Sequence, residues 1–125
     1  MANTRTQNRI PCDALGFLSM GENRLALQTV NVSKNGACLR IHADAWPSIE
    51  DLESISGRLV LGGEDFDFSG RICWSYREDD NLQPGDRIYV RFGVEFTEFN
   101  QTLMASVLES LSIVEDTSSD DSFNI

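Results

Sequence analysis

Two groups of residues carry side chains whose types and spacing suit the capture of a phosphate-bearing ligand. The first is Arg5-Thr6-Gln7-Asn8-Arg9, which sets two guanidinium groups four residues apart. Guanidinium is a planar fork that can pair two-pronged with a phosphate or with the O6/N7 edge of guanine. The second is Asn31-Val32-Ser33-Lys34-Asn35-Gly36. Asn and Ser side chains bond nearby backbone or a ligand at a turn. Gly36 is expected to accept positive φ and to let a ligand come close to the backbone. The Arg-x-x-x-Arg spacing recurs at Arg87 and Arg91, where no such loop follows.

The elements that must position these groups are strands. Leu25, Leu27 and Thr29 alternate with Arg24, Ala26 and Gln28. After the corner, Ala37, Leu39, Ile41 and Ala43 alternate with Cys38, Arg40 and His42. A period of two is the mark of a strand with one buried face, so residues 31–36 form a strand–turn–strand corner.

An Arg-x-x-x-Arg pair followed about one hairpin later by Asn/Asp-x-Ser-x-x-Gly resembles the PilZ family of small β-barrel receptors for the bacterial second messenger cyclic di-GMP. Gly93-Val94-Glu95-Phe96 is similar to the Gly-Val-x-Phe run near the end of such barrels. The resemblance covers nearly the whole chain. It implies cyclic di-GMP as ligand, with Arg5 and Arg9 on phosphate and guanine, and with Asn31 and Ser33 contacting the ligand from the barrel side. Gly36 would keep the corner open for the base. Trp74 is a further candidate by resemblance, for packing on a guanine; its strand pattern equally places it on the core face. No catalytic residue, metal ligand or cofactor is implied.

Composition narrows the alternatives. A chain of 125 residues with 41% hydrophobic content suits one domain with one core. Net charge is −10 and the sequence pI about 4.3, a field that repels nucleic acid. Lys34 is the only lysine among ten basic residues, so the rest are arginines. Cys12, Cys38 and Cys73 are widely spaced and include no Cys-x-x-Cys pair, which argues for reduced packing residues rather than a disulfide or zinc site. The single histidine, His42, reads as a solvent-side strand residue and leaves no Ser/His/Asp or Cys/His set, so no enzyme is expected. The absence of a long apolar run or a signal peptide suggests a cytoplasmic protein without membrane insertion.

Along the chain, residues 1–9 are polar and read as a flexible ligand-binding arm. Pro11 suits a strand start, and the first strand carries Leu15 and Phe17 on one face. Residues 44–52 could hold a helical turn, with Ser48 as its cap and with Ile49 and Leu52 inward; Trp46 packs at the barrel mouth. Phe66, Phe68, Gly70, Ile72, Trp74 and Tyr76 form one expected core face, and Ile88, Val90, Phe92, Val94 and Phe96 another. Leu103, Val107, Leu108 and Leu111 at helical spacing, with Asn100 as a cap, predict a C-terminal helix. The expectation is mainly β: an antiparallel, six-stranded, PilZ-like split barrel plus helix over 10–113, with flexible termini including an acidic tail over 114–125.

Few residues precede Arg5 and no second domain is evident. Signalling is therefore expected to pass through a downstream protein partner or self-association, with the chain a monomer or weak homodimer. The competing expectation is a PilZ-like adaptor that binds no nucleotide and acts only by protein contact.

Overall fold

A computed structural model describes residues 9–79 and 82–111. The proposed arm up to residue 8 and the acidic tail lie outside them.

Six strands account for most of the described chain: β1 (Ile10–Met20), β2 (Asn23–Ser33), β3 (Gly36–His42), β4 (Ile55–Leu61), β5 (Glu64–Glu78) and β6 (Tyr89–Phe99). All neighbouring pairs are antiparallel, and the order β1-β2-β3-β6-β5-β4 closes on itself as a barrel through β4 and β1. Closure leaves no unpaired edge. The inner face buries Leu18, Leu27, Leu39, Ile41, Leu59, Phe66, Phe92 and Val94, among others. Each such side chain contributes about 1.5–3 kcal/mol when fully withdrawn from water.

The C-terminal helix, α1, spans residues 101–111. Asn100 caps it as the sequence suggests, its Oδ1 accepting the Leu103 N–H at 2.9 Å. Met104 and Val107 join the barrel core, with Leu103, Leu108 and Leu111 partly buried beside them. Met104 is the one contributor the apolar spacing left out.

The expected helical turn after β3 needs correction. The turn after β3 is a short 3-10 helix, Trp46–Ser48, preceded by Ala45. Ser48 ends it rather than capping it, and Pro47 at its start supplies the fixed φ instead. Ile49 is fully buried there, but Leu52 is 39% exposed. In β1, the face carrying Leu15 and Phe17 is the outer one: Leu15 is 72% exposed while Leu18 is buried.

Candidate functional site

Alternation alone would send the motif residues into the core. Leu25, Leu27 and Thr29 point inward, so a regular strand would turn Asn31 and Ser33 inward too. A β-bulge between Thr29 and Asn31 inserts one extra residue in β2 relative to β3. Parity reverses there: Val32 is buried in the core, and Asn31 and Ser33 serve the outer surface. A second bulge, between Ile72 and Trp74, does the same in β5. Ile72 still packs on the core, whereas Trp74 is 40% exposed and Tyr76 more so. The core reading of Trp74 and Tyr76 is therefore overturned. Their rings stack on the outside of the barrel, with centroids 6.0 Å apart and planes 15° from parallel.

The two bulges assemble one outer row. Asn31 pairs with Cys38, Cys38 with Gly93, and Gly93 with Trp74. The next row is Ser33, Gly36, Glu95 and Arg71. Arg9 sits at the head of β1, and its Nη1 donates to Asn31 Oδ1 at 3.2 Å. Residues 22 apart in sequence, one from each motif, thus meet directly. Between the rows lies an open cavity of about 250 Å³ lined by Arg9, Ser33, Gly36, Trp74, Asn35 and Glu95 among others.

Of the six residues singled out in the sequence, Arg9, Ser33, Gly36 and Trp74 line this cavity, and Asn31 holds Arg9 at its border. Arg5 lies outside the described residues. Asn35, Gly93 and Glu95 were missed, although Gly93 and Glu95 stand inside the Gly-Val-x-Phe run. The signal for Gly93 was a glycine interrupting an otherwise bulky strand, which marks close approach of another group.

Gly36 does its work differently from the expectation. The glycines with positive φ are Gly21, Gly62, Gly63 and Gly85; Gly36 is not among them. Instead β3 and β6 run so close that a Cβ at Gly36 would collide with the carbonyl oxygen of Val94. The turn itself is Lys34-Asn35, fastened to β6 by the Phe96 N–H donating to the Asn35 carbonyl at 2.8 Å. Inside the corner, Ser33 Oγ donates to the Gly36 carbonyl at 3.3 Å.

Cys38 lies between Asn31 and Gly93 in the outer row and is buried. Burial pushes its thiol pKa up, against the opposing pull of the Arg91 and Arg9 guanidinium groups. Cys73, in contrast, is exposed on the cavity rim, so it is not the packing residue the sequence suggested. All three cysteines are free.

Beside the cavity, cross-strand neighbours Arg40 and Arg91 share one carboxylate. Glu78 accepts from Arg40 Nε at 3.0 Å and from Arg91 Nε at 2.6 Å. Arg40 also lies over the Tyr89 ring at 4.1 Å and donates to Gln28. Burial pushes the Glu78 carboxyl pKa up, but the hydrogen bonds and charges of both arginines outweigh it and hold it below the usual range. The second Arg-x-x-x-Arg pair is thus split: Arg91 belongs to this ion cluster, and Arg87 lies 3.1 Å from the outward-facing His42.

Among the described residues, no group of His, Cys, Asp and Glu could hold a metal ion, and no helix is long and apolar enough to cross a membrane. What the outer face offers is a guanidinium, amide and hydroxyl groups, and a bared indole.

Comparison with solved structures gives the same fold in proteins of low sequence identity. The PilZ domain of YcgR from Escherichia coli with c-di-GMP matches at TM-score 0.71 and 13% identity, over 97% of this chain and 98% of that one. The Bacillus subtilis inhibitor of motility, MotI/DgrA, matches at 0.68 and 13%, over 90% of this chain and 52% of that one. Borreliella burgdorferi PlzA in complex with c-di-GMP matches at 0.64 and 12%, over 93% and 54%. The chain therefore spans about half the length of MotI and of PlzA. No curated protein sequence matches it. A family model for the PilZ domain matches residues 3–112, and on that match the chain belongs to the PilZ domain family.

Proposed function

We propose that this chain is a receptor for cyclic di-GMP, in which the N-terminal arm, residues 1–9, becomes ordered over the outer face of the barrel when the ligand binds. The observation that carries the reading is the Arg9–Asn31 hydrogen bond, which joins the two motif halves at the edge of the cavity. PlzA and the YcgR PilZ domain, which share this fold, are described with c-di-GMP.

The chemistry fits a dinucleotide with two phosphates and two guanines. Arg9, with Arg5 from the arm, supplies guanidinium forks. Each well-made hydrogen bond between arginine and phosphate is worth about 1.5–3 kcal/mol. Asn31 and Ser33 supply polar contacts from the barrel side, and Trp74 supplies a stacking face for a purine. The cavity is smaller than the roughly 300–1,000 Å³ of a typical small-molecule site, so the arm completes the enclosure. Part of the binding energy offsets the ordering of that arm, at about 1–2 kcal/mol per backbone residue fixed. The ordered arm is the output: a new surface that a downstream protein reads.

The test uses Trp74 as reporter. W46F removes the other tryptophan, which packs on Phe92 away from the cavity. Cyclic di-GMP should shift or quench the remaining emission saturably, and GTP and cyclic di-AMP should not. In the same sample, amide signals of residues 1–9 should take on the dispersion of a fixed backbone. Unchanged emission and unchanged amides would refute the receptor reading; changed emission with unchanged amides would refute only closure of the arm.

A further inference from the structure

A carboxylate in a cavity suited to an anion is an anomaly. Glu95 lines the cavity beside Arg9, and its charge opposes any phosphate that enters. It is held in place rather than merely tolerated. Arg71, its cross-strand neighbour, donates from Nε at 2.9 Å and lies with Nη2 at 2.8 Å, both on the same oxygen, Oε1. Among the described residues, Oε2 has no partner. Both side chains are more than half exposed or nearly so, and an exposed ion pair of this kind contributes little to stability. A structural role therefore gives a poor account of why a negative charge stands here.

The surroundings say what that charge could receive. Glu95 and Gly93 share one face of β6, about 7 Å apart by strand geometry. The Trp74 indole stands on Gly93, stacks with Tyr76 and lines the cavity. Trp74 and Glu95 line the same cavity, so a base resting against the indole there shares it with the Glu95 carboxylate. A carboxylate only accepts hydrogen bonds. Guanine presents two adjacent donors on one edge, N1–H and the exocyclic amine, and matches a carboxylate two-pronged. Adenine presents the acceptor N1 there, and hypoxanthine has N1–H but no amine.

We propose that Glu95, positioned by Arg71, accepts the N1–H and exocyclic amine of a guanine lying on Trp74, and so makes the site selective for guanine. The inference rests on the receptor reading above and adds the residue that reads the base. Arg71 acts as a positioning residue: it neutralises the carboxylate against nearby phosphate and fixes Oε1.

The experiment is calorimetric titration of wild type and E95A with cyclic di-GMP and with its inosine analogue, cyclic di-IMP, which differs only in lacking the amine. Wild type should prefer cyclic di-GMP by about tenfold or more, the value of one charge-assisted hydrogen bond. E95A should bind cyclic di-GMP about ten- to a hundredfold more weakly, and the two ligands should then differ by less than about threefold. E95Q, which keeps the shape but adds a donor, should also lose the preference. Equal affinity of wild type for both ligands would overturn the proposal without using any variant. So would an E95A that keeps the wild-type preference. Wild type that binds neither ligand would instead overturn the receptor reading, a result distinguishable from both.

Discussion

The indole of Trp74 occupies the space above Gly93 that the Cβ of any other residue would fill: its Nε1 and Cε2 stand where that atom would be. The two residues are register partners across β5 and β6, just past a bulge. The bulge turns Trp74 outward, and the glycine lets the ring settle onto the strand instead of standing clear of it. One expected core position, Trp74, thus lies on the outer face against a glycine of that face.

G93A should therefore displace the ring without unfolding the barrel. The added methyl points to the outer surface, and the indole, partly exposed, can rotate away. We expect a stability change within about 1 kcal/mol and a loss of cyclic di-GMP affinity of about tenfold or more. Denaturant unfolding and titration on the same preparation check both. Wild-type affinity in G93A would remove Trp74 from the site.

G36A should do the opposite. Its Cβ would meet the Val94 carbonyl, which is strand backbone and cannot swing aside. Overpacking of this kind typically costs about 1–3 kcal/mol. The thermal midpoint of the free protein should fall by several degrees, so weakened binding in G36A reports on the fold as well as the site.

R9A and R5A should weaken cyclic di-GMP binding by at least about tenfold each, since on the proposed reading each removes a fork for phosphate or guanine. Arg9 is exposed and precedes β1, so the free protein should melt within about 2 °C of wild type. N31A, which leaves Arg9 without its anchor, should weaken binding less than R9A. Differential scanning fluorimetry with and without ligand separates these effects.

Glu78 sets a pH dependence of stability. Its carboxyl is held below the usual range by Arg40 and Arg91, which outweigh the upward push of burial. The native state thus binds this proton less readily than the unfolded chain. The contribution is complete above the unfolded carboxyl pKa, about 4.3, and fades as pH falls through the lower native value. E78Q should cost about 1 kcal/mol at pH 7, where Arg40 and Arg91 then face each other unneutralised, and the gap to wild type should shrink toward pH 3. Urea unfolding at both pH values measures it.

Much of the barrel was legible because alternation is a direct record of which face is buried. β3 and β6 read through cleanly, as did the capped helix, where Asn100 and the apolar spacing agree. The misplacement of Trp74 and Tyr76 has one cause. A bulge leaves no mark in the apolar pattern, so Trp74 and Tyr76 continue the Phe66–Ile72 alternation on paper while the chain has already reversed. In β1 the pattern put Leu15 and Phe17 on one face without saying which, because the inner face there carries the smaller Ala14 and Gly16 beside Leu18. The motif pattern singled out Arg9, Ser33 and Gly36, which line one cavity, but not why Gly36 must be glycine. That reason is the proximity of Val94, 58 positions along the chain, which only the β3–β6 register brings alongside. Glu95 was hidden for the same reason: its ion-pair partner Arg71 and its cavity neighbour Trp74 are both on another strand.

The most direct test of the account is calorimetric titration of the wild-type protein with cyclic di-GMP, with GTP and cyclic di-AMP as controls. The account predicts saturable, selective binding with a Kd in the micromolar range or tighter. Absence of heat together with absence of any ligand-induced shift in melting temperature would contradict it and leave the barrel as a module that acts by protein contact alone.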